Sequence, residues 1–125
     1  MHVVLSVSDL TRAVGFYEGV FGWPRNARID FANYVELHPP EGGTLGLYER
    51  NGYAQQVGAE PAELNGRVSP GYLYVHVDDV RATVGSLEAA GARPLKELAP
   101  QSWGEEAAWF ADPDGNVVAV AQYLD

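Results

Sequence analysis

Residues His2–Val7 carry the alternating pattern of a strand, and the chain then switches to a helical period. Ser8 and Asp9 are both able to cap a helix. Leu10, Val14, Tyr17 and Phe21 recur along one side of it, and Gly22 closes it. Trp23–Arg28, Asn33–His38 and Thr44–Glu49 read as three strands, the last two joined through Pro39-Pro40 and Glu41-Gly42-Gly43. Residues 50–70 hold Gly, Pro, Asn and Gln without a clear period and read as a connection with room for one short helical turn. The pattern then repeats: strand Tyr72–Val77, helix Val80–Ala90, and strands Arg93–Leu98, Glu106–Ala111 and Asn116–Tyr123. Asp112-Pro113-Asp114-Gly115 supplies a hairpin turn, because proline presets φ and Asp-Gly accepts the positive φ that follows.

The second pattern is a copy of the first. Residues 3–24 align with 73–94 at a constant offset of 70 without gaps, matching Val7 to Val77, Asp9 to Asp79, Gly15 to Gly85 and Pro24 to Pro94. The expectation is an α+β fold in which two paired βαβββ modules, 1–50 and 71–125, form one domain over residues 1–125. Together they would make a curved eight-stranded sheet with a concave cup and the helices outside. Alternation assigns Val3, Leu5 and Val7, with Leu73, Val75 and Val77, to the helix side. His2, Val4 and Ser6, Tyr72, Tyr74 and His76, and the small residues Val117, Ala119 and Ala121 fall on the cup side. Small residues beside tyrosines leave room for a ligand, unless the tyrosine rings fill that room themselves.

Composition narrows the function. A chain of 125 residues suits one domain. A net charge of −9 disfavours nucleic acid, which needs a basic footprint, and would steer a cationic ligand inward. The absence of cysteine removes disulfides, thiolate metal sites and a cysteine nucleophile. The first residues enter a strand at once, with no signal-like core and no apolar run of membrane length, so a cytoplasmic protein is expected.

With the repeat in view, the stretches VSDLTRAVGFYEGVFGW, VHVDDVRATVGSLEAAGA and FADPDGNVVAV make the chain resemble the vicinal oxygen chelate superfamily of glyoxalases, extradiol dioxygenases and bleomycin-resistance proteins. The resemblance implies the paired-module fold. Its enzymes hold a divalent metal with four side chains, and those positions correspond here to His2, Gly46, Tyr72 and Ala119. Three of the four lack a usual ligand, so no metal and no cofactor is expected. The metal-free, bleomycin-resistance-like branch is the better match, through Ile29-Asp30-Phe31-Ala32 and Gln101-Ser102-Trp103-Gly104. In that branch the corresponding Phe and Trp clamp the flat part of a drug, one from each subunit of a dimer.

The resemblance thus implies a homodimer that sequesters an aromatic natural product or antibiotic, with positive charge favoured, as self-resistance. The candidate ligand-binding residues are Phe31, Trp103, Tyr72, Tyr74, His76, Tyr48, Trp109 and Ala119. The rival is a metal-free lyase, isomerase or tailoring enzyme using His76, Tyr74 and Glu106 as acid and base. Glu105 and Glu106 alternate, so one of them points inward. Trp109 and Phe110 likewise face opposite sides, with Trp109 the better candidate for the cup. His38 reads as a solvated residue before a turn, and Trp23 as packing.

Overall fold

The computed structural model describes residues 1–29 and 31–125. Asp30, part of the first drug-binding-like stretch, lies outside the described residues. The chain divides into two compact units, Met1–Glu63 and Leu64–Asp125.

In the first unit the order is β1 (His2–Val7), α1 (Leu10–Phe21), β2 (Tyr34–Leu37), β3 (Thr44–Glu49) and α2 (Arg50–Val57). Asp9, not Ser8, caps α1: its carboxylate accepts from the Arg12 N–H at 3.0 Å. Gly22 ends the helix at φ 68°, a conformation that costs glycine no Cβ clash. β3 lies centrally, parallel to β1 and antiparallel to β2. α1 packs on β2 and β3 and buries Ala13, Val14, Phe16 and Tyr17, alongside the buried Leu37, Leu45 and Leu47.

In the second unit the order is β4 (Tyr72–His76), α3 (Val80–Ala89), β5 (Arg93–Pro100), β6 (Glu105–Ala111) and β7 (Val117–Tyr123). The sheet runs β4-β7-β6-β5, with β4 and β7 parallel and the rest antiparallel. β5 is the last strand of this sheet, and its register against β6 slips twice, between Pro94 and Lys96 and between Lys96 and Ala99. Asp79 caps α3 as Asp9 caps α1, accepting from the Ala82 N–H at 3.1 Å. The turn before β7 is held by Asp112, whose buried carboxylate accepts from the N–H groups of Asp114 and Asn116.

The expected single eight-stranded sheet is corrected on two counts. The described residues form seven strands, and these lie in two separate sheets of three and four. The missing strand is Trp23–Arg28. Pro24 has no N–H to donate to a ladder, and the segment is left with one bridge, Arg25 to Leu37. At that bridge the Asn26 N–H donates to the Glu36 carbonyl and the His38 N–H to the Pro24 carbonyl, both at 2.9 Å, while an ion pair from Arg25 to Glu18 at 2.6 Å and stacking of Trp23 on Phe21 at 4.4 Å tie the segment to α1. The stretch read as a connection differs as well: residues 50–57 form the eight-residue helix α2, which packs on β1 and β3.

Candidate functional site

Each unit gathers a cluster of polar and aromatic side chains on one face of its sheet. In the second unit that face is set by strand register. Tyr74 pairs with Ala119 and Ala119 with Trp109, while His76 pairs with Ala121 and Ala121 with Ala107. Ala107, Ala119 and Ala121 are fully buried, and the large rings stand on either side of this alanine row. Tyr74 and Trp109 approach to 6.4 Å, and Tyr72 meets Trp109 edge-on at 6.1 Å. Ala119 therefore sets how closely the rings approach and offers no surface of its own to a ligand. Part of the room expected from small residues is taken by the tyrosine and tryptophan rings. Trp109 is the aromatic of its pair on this face, since Phe110 is buried on the other. The Lys96 ammonium lies 5.9 Å over the Trp109 ring, within cation–π range.

The centre of this face is Glu105. Its carboxylate is buried and accepts from the Tyr74 hydroxyl at 3.0 Å, and its other oxygen meets His76 Nε2 in a short contact. Tyr74 in turn accepts from the Trp103 indole N–H at 3.0 Å. The His76 ring stacks on Tyr123 at 5.1 Å, nearly parallel. Burial pushes the Tyr74 hydroxyl above its ordinary pKa, so it remains a donor to Glu105 at neutral pH. Trp103 sits in the tight turn before β6, where Gly104 adopts φ 87°. The residue is 54% exposed even though its indole N–H is fixed.

Of the two glutamates, Glu105 and not Glu106 joins Tyr74 and His76. Glu106 faces the other side of β6 and pairs with Arg81 of α3 at 3.2 Å. The pair Glu-Glu carries no phase by itself. Glu105, Ala107 and Trp109 share a face by alternation, so once Trp109 is chosen for that face Glu105 follows.

The first unit holds a cluster that sequence reasoning missed. Tyr34, Glu36 and His38 fall two residues apart along β2 and just beyond it. Glu36 accepts from Asn26 at 3.1 Å and from the Tyr34 hydroxyl at 3.3 Å, and lies 3.2 Å from His38 and 3.8 Å from His2. His2 also meets Tyr34 at 3.0 Å and makes a short contact with Thr44. The Asn26 amide foremost, with both imidazoles and the tyrosine hydroxyl, holds the Glu36 carboxyl below the usual range against the opposing effect of burial. Burial, reinforced by the Glu36 charge, pushes Tyr34 up to about 12. His38 is thus a partner of Glu36 and not merely a solvated residue.

The four positions matched to metal ligands do not fit a metal held by four side chains. At Gly46 the space a side chain would need is taken by Tyr34, whose hydroxyl lies 2.4 Å from where a Cβ would stand. Ala119 is buried and has no donor. Tyr72 is half exposed against Trp109, and His2 is engaged by Tyr34 and Thr44. Among the described residues no group of three or more His, Cys, Asp or Glu side chains is arranged to hold a metal ion.

Phe31 is joined to Tyr34 by a single bridge, and its ring is 65% exposed. Tyr48 meets Tyr34 edge-on at 5.0 Å and lines a separate cavity in the first unit. None of the helices among the described residues is long and apolar enough to cross a membrane.

The family model of the Glyoxalase/Bleomycin resistance protein/Dioxygenase superfamily matches residues 1–120. The uncharacterized protein YraH of Bacillus subtilis (strain 168) is 27% identical over 126 residues, spanning 99% of this chain and 98% of that protein. A glyoxalase/bleomycin resistance protein/dioxygenase family enzyme from Burkholderia phytofirmans PsJN shares the fold with a TM-score of 0.82 at 22% identity, covering 98% of this chain and 97% of its own. TioX from Micromonospora sp. ML1 does so with a TM-score of 0.68 at 24% identity, covering 99% and 98%.

Proposed function

Because the chain belongs to the Glyoxalase/Bleomycin resistance protein/Dioxygenase superfamily, within which chemistry is decided by the site and not by the fold, we propose that it is a metal-independent binding protein for a planar aromatic small molecule. The observation that carries this reading is Trp103. An exposed indole is anchored through Tyr74 to a buried carboxylate, so its face is presented in a fixed orientation. Such a ring binds a flat ligand with little entropy left to lose.

Phe31, more exposed still, supplies the second face. In the proposed homodimer the ligand lies between Phe31 of one subunit and Trp103 of the other, and a natural product or antibiotic would be sequestered unchanged in the cytoplasm. The acidic surface favours a ligand carrying positive charge. The test is titration with a panel of aromatic antibiotics, followed by indole fluorescence and native mass spectrometry. The expected result is quenching, one ligand per site, and ligand recovered intact. Unweakened binding by Trp103→Ala would overturn the proposal.

A second reading, an acid–base enzyme, is favoured by one specific contact. Glu105 is buried against His76, whose ring keeps an exposed portion, and Tyr74 shares the same carboxylate. Such a triad could move a proton on a bound substrate. Multiple turnovers with loss of rate in both Glu105→Gln and His76→Gln would select this reading over sequestration.

A further inference from the structure

The chain has two Asn-Gly pairs, Asn51-Gly52 and Asn65-Gly66, and the structure holds them differently. Asn65 and Gly66 are both exposed and form the centre of a tight turn, closed by the Arg67 N–H donating to the Leu64 carbonyl at 2.9 Å. Their φ angles are 49° and 85°, both positive, as a type I′ turn requires. Asn65 is the one residue other than glycine with a positive φ among the described residues. The Gly66 carbonyl accepts from the Arg93 guanidinium at 2.8 Å. The Gly66 N–H has no hydrogen-bond partner among the described residues.

Asn51-Gly52 lies inside α2 instead. Gly52 is buried, and the Tyr48 ring and the Asn33 amide fill the space beside it. Rotating the backbone at Asn51 would unwind the helix against that packing. The remaining asparagines, Asn26, Asn33 and Asn116, precede Ala27, Tyr34 and Val117, whose side chains crowd the next backbone nitrogen. Only at Asn65 does an asparagine amide meet a following nitrogen that is open to water, free of hydrogen bonds and flanked by no side chain.

We infer that Asn65 is a site of spontaneous deamidation through the backbone of Gly66. The Gly66 nitrogen gives up its proton and bonds to Asn65 Cγ. The Cγ–Nδ2 bond breaks, and the amide nitrogen leaves with that proton as ammonia. One water molecule then opens the cyclic imide. Addition at Cγ leaves aspartate, and addition at the backbone carbonyl carbon leaves isoaspartate. Ring closure needs the Asn65 backbone to leave its turn conformation, so the Leu64–Arg67 bond and Arg93 govern the rate. Aspartate fits the same turn, whereas isoaspartate adds a methylene to the backbone between Leu64 and Arg67. That stretch is fastened to the last hairpin by Ser69, whose N–H donates to the Gly115 carbonyl at 3.0 Å and whose hydroxyl accepts from the Val117 N–H at 3.0 Å. The isoaspartyl chain is therefore the less stable product.

The test is to age the intact protein for several weeks at mildly alkaline pH and follow its peptides by mass spectrometry. A methyltransferase specific for isoaspartyl carboxyls reports the second product. The expected result is conversion of amide to acid at Asn65, with both products present, and conversion at Asn51 at least about tenfold slower. Asn65→Gly keeps a turn that accepts positive φ and should abolish the change in that peptide. Arg93→Gln, which removes the bond to the Gly66 carbonyl, should speed conversion about two- to tenfold. The isoaspartyl chain, separated from the aspartyl one, should unfold at lower urea. Asn65 left unconverted, or converted no faster than Asn51, would overturn the inference. A rate indifferent to Arg93→Gln would overturn the control by the turn.

Discussion

The two units start from the same sequence pattern and arrive at different faces. Both pair their first strand in parallel with their last: β1 with β3, and β4 with β7. Both bring a tyrosine, a histidine and a glutamate together. In the first unit these are Tyr34, His2 and Glu36; in the second they are Tyr74, His76 and Glu105. The residues do not correspond under the repeat, since His2 is matched by Tyr72 and His76 by Ser6. The repeat therefore extends to the backbone pattern and not to the polar clusters. What differs is the use of that cluster. In the second unit the carboxylate reaches, through Tyr74, an aromatic ring open to solvent. In the first it fixes Tyr34 over Gly46, as a wall of a cavity.

The comparison is sharpest at the two carboxylates. Glu105 is the more buried, and removing it takes the acceptor from the Tyr74 hydroxyl and breaks the contact with His76, so Glu105→Ala should cost about 2–3 kcal/mol in urea unfolding. Glu36→Ala should cost less, about 1–2 kcal/mol, because its partners are closer to water. Equal losses would mean that burial does not separate the two clusters.

The next effect is steric. Gly46→Ala drives a methyl group into the Tyr34 ring and should destabilise by about 1–3 kcal/mol. Combined with Tyr34→Ala, which vacates the space, the same substitution should lose most of its own cost, as read by a double-mutant cycle.

A smaller effect tests the anchoring of the platform. Tyr74→Phe removes the acceptor of the Trp103 indole N–H and should cost about 1 kcal/mol. It should also shift the indole N–H resonance, whereas Tyr34→Phe should leave that resonance in place. A resonance indifferent to Tyr74→Phe would detach the platform from Glu105.

The smallest effect is the pH dependence of the first unit. The Glu36 carboxyl has a lower pKa folded than unfolded, so its contribution is fully present above the ordinary carboxylate range. That contribution should disappear as pH falls through the lowered value. Glu36→Gln should flatten the acid limb of the stability curve by about 1 kcal/mol or less.

Much of the backbone was legible because local chemistry and the repeat agreed. Asp9 and Asp79 cap their helices, Gly22 terminates one, and Asp112–Gly115 turns the last hairpin. Two segments were not legible. Trp23–Arg28 looks like a strand by composition, yet with Pro24 lacking a donor and Trp23 docked on Phe21 its pairing with β2 stops at a single bridge. Helix α2 has Gly52 in its middle and polar Asn51, Gln55 and Gln56, so it lacks a helical signal of its own. Its glycine is explained by the Tyr48 ring and the Asn33 amide, which occupy the space a side chain would need. The site was half legible. Tyr74, His76, Trp103 and Trp109 were all named from alternation or resemblance, and the structure brings them to one face. Glu36 escaped because a carboxylate in a strand looks solvated until its partners are known, and of the two alternating glutamates Glu106 was chosen where Glu105 is the one beside Tyr74 and His76.

The broken register of β5 bears on how this acidic chain behaves at high concentration. Pro94 and Pro100 withhold two donors, and the two slips near Lys96 bend the strand away from a regular ladder. A second chain arriving there meets an interrupted row of hydrogen-bonding groups, with Arg93 and Lys96 standing among them. Growth of intermolecular sheet is therefore discouraged on that flank of the second unit, where an unbroken strand would have been a template for aggregation.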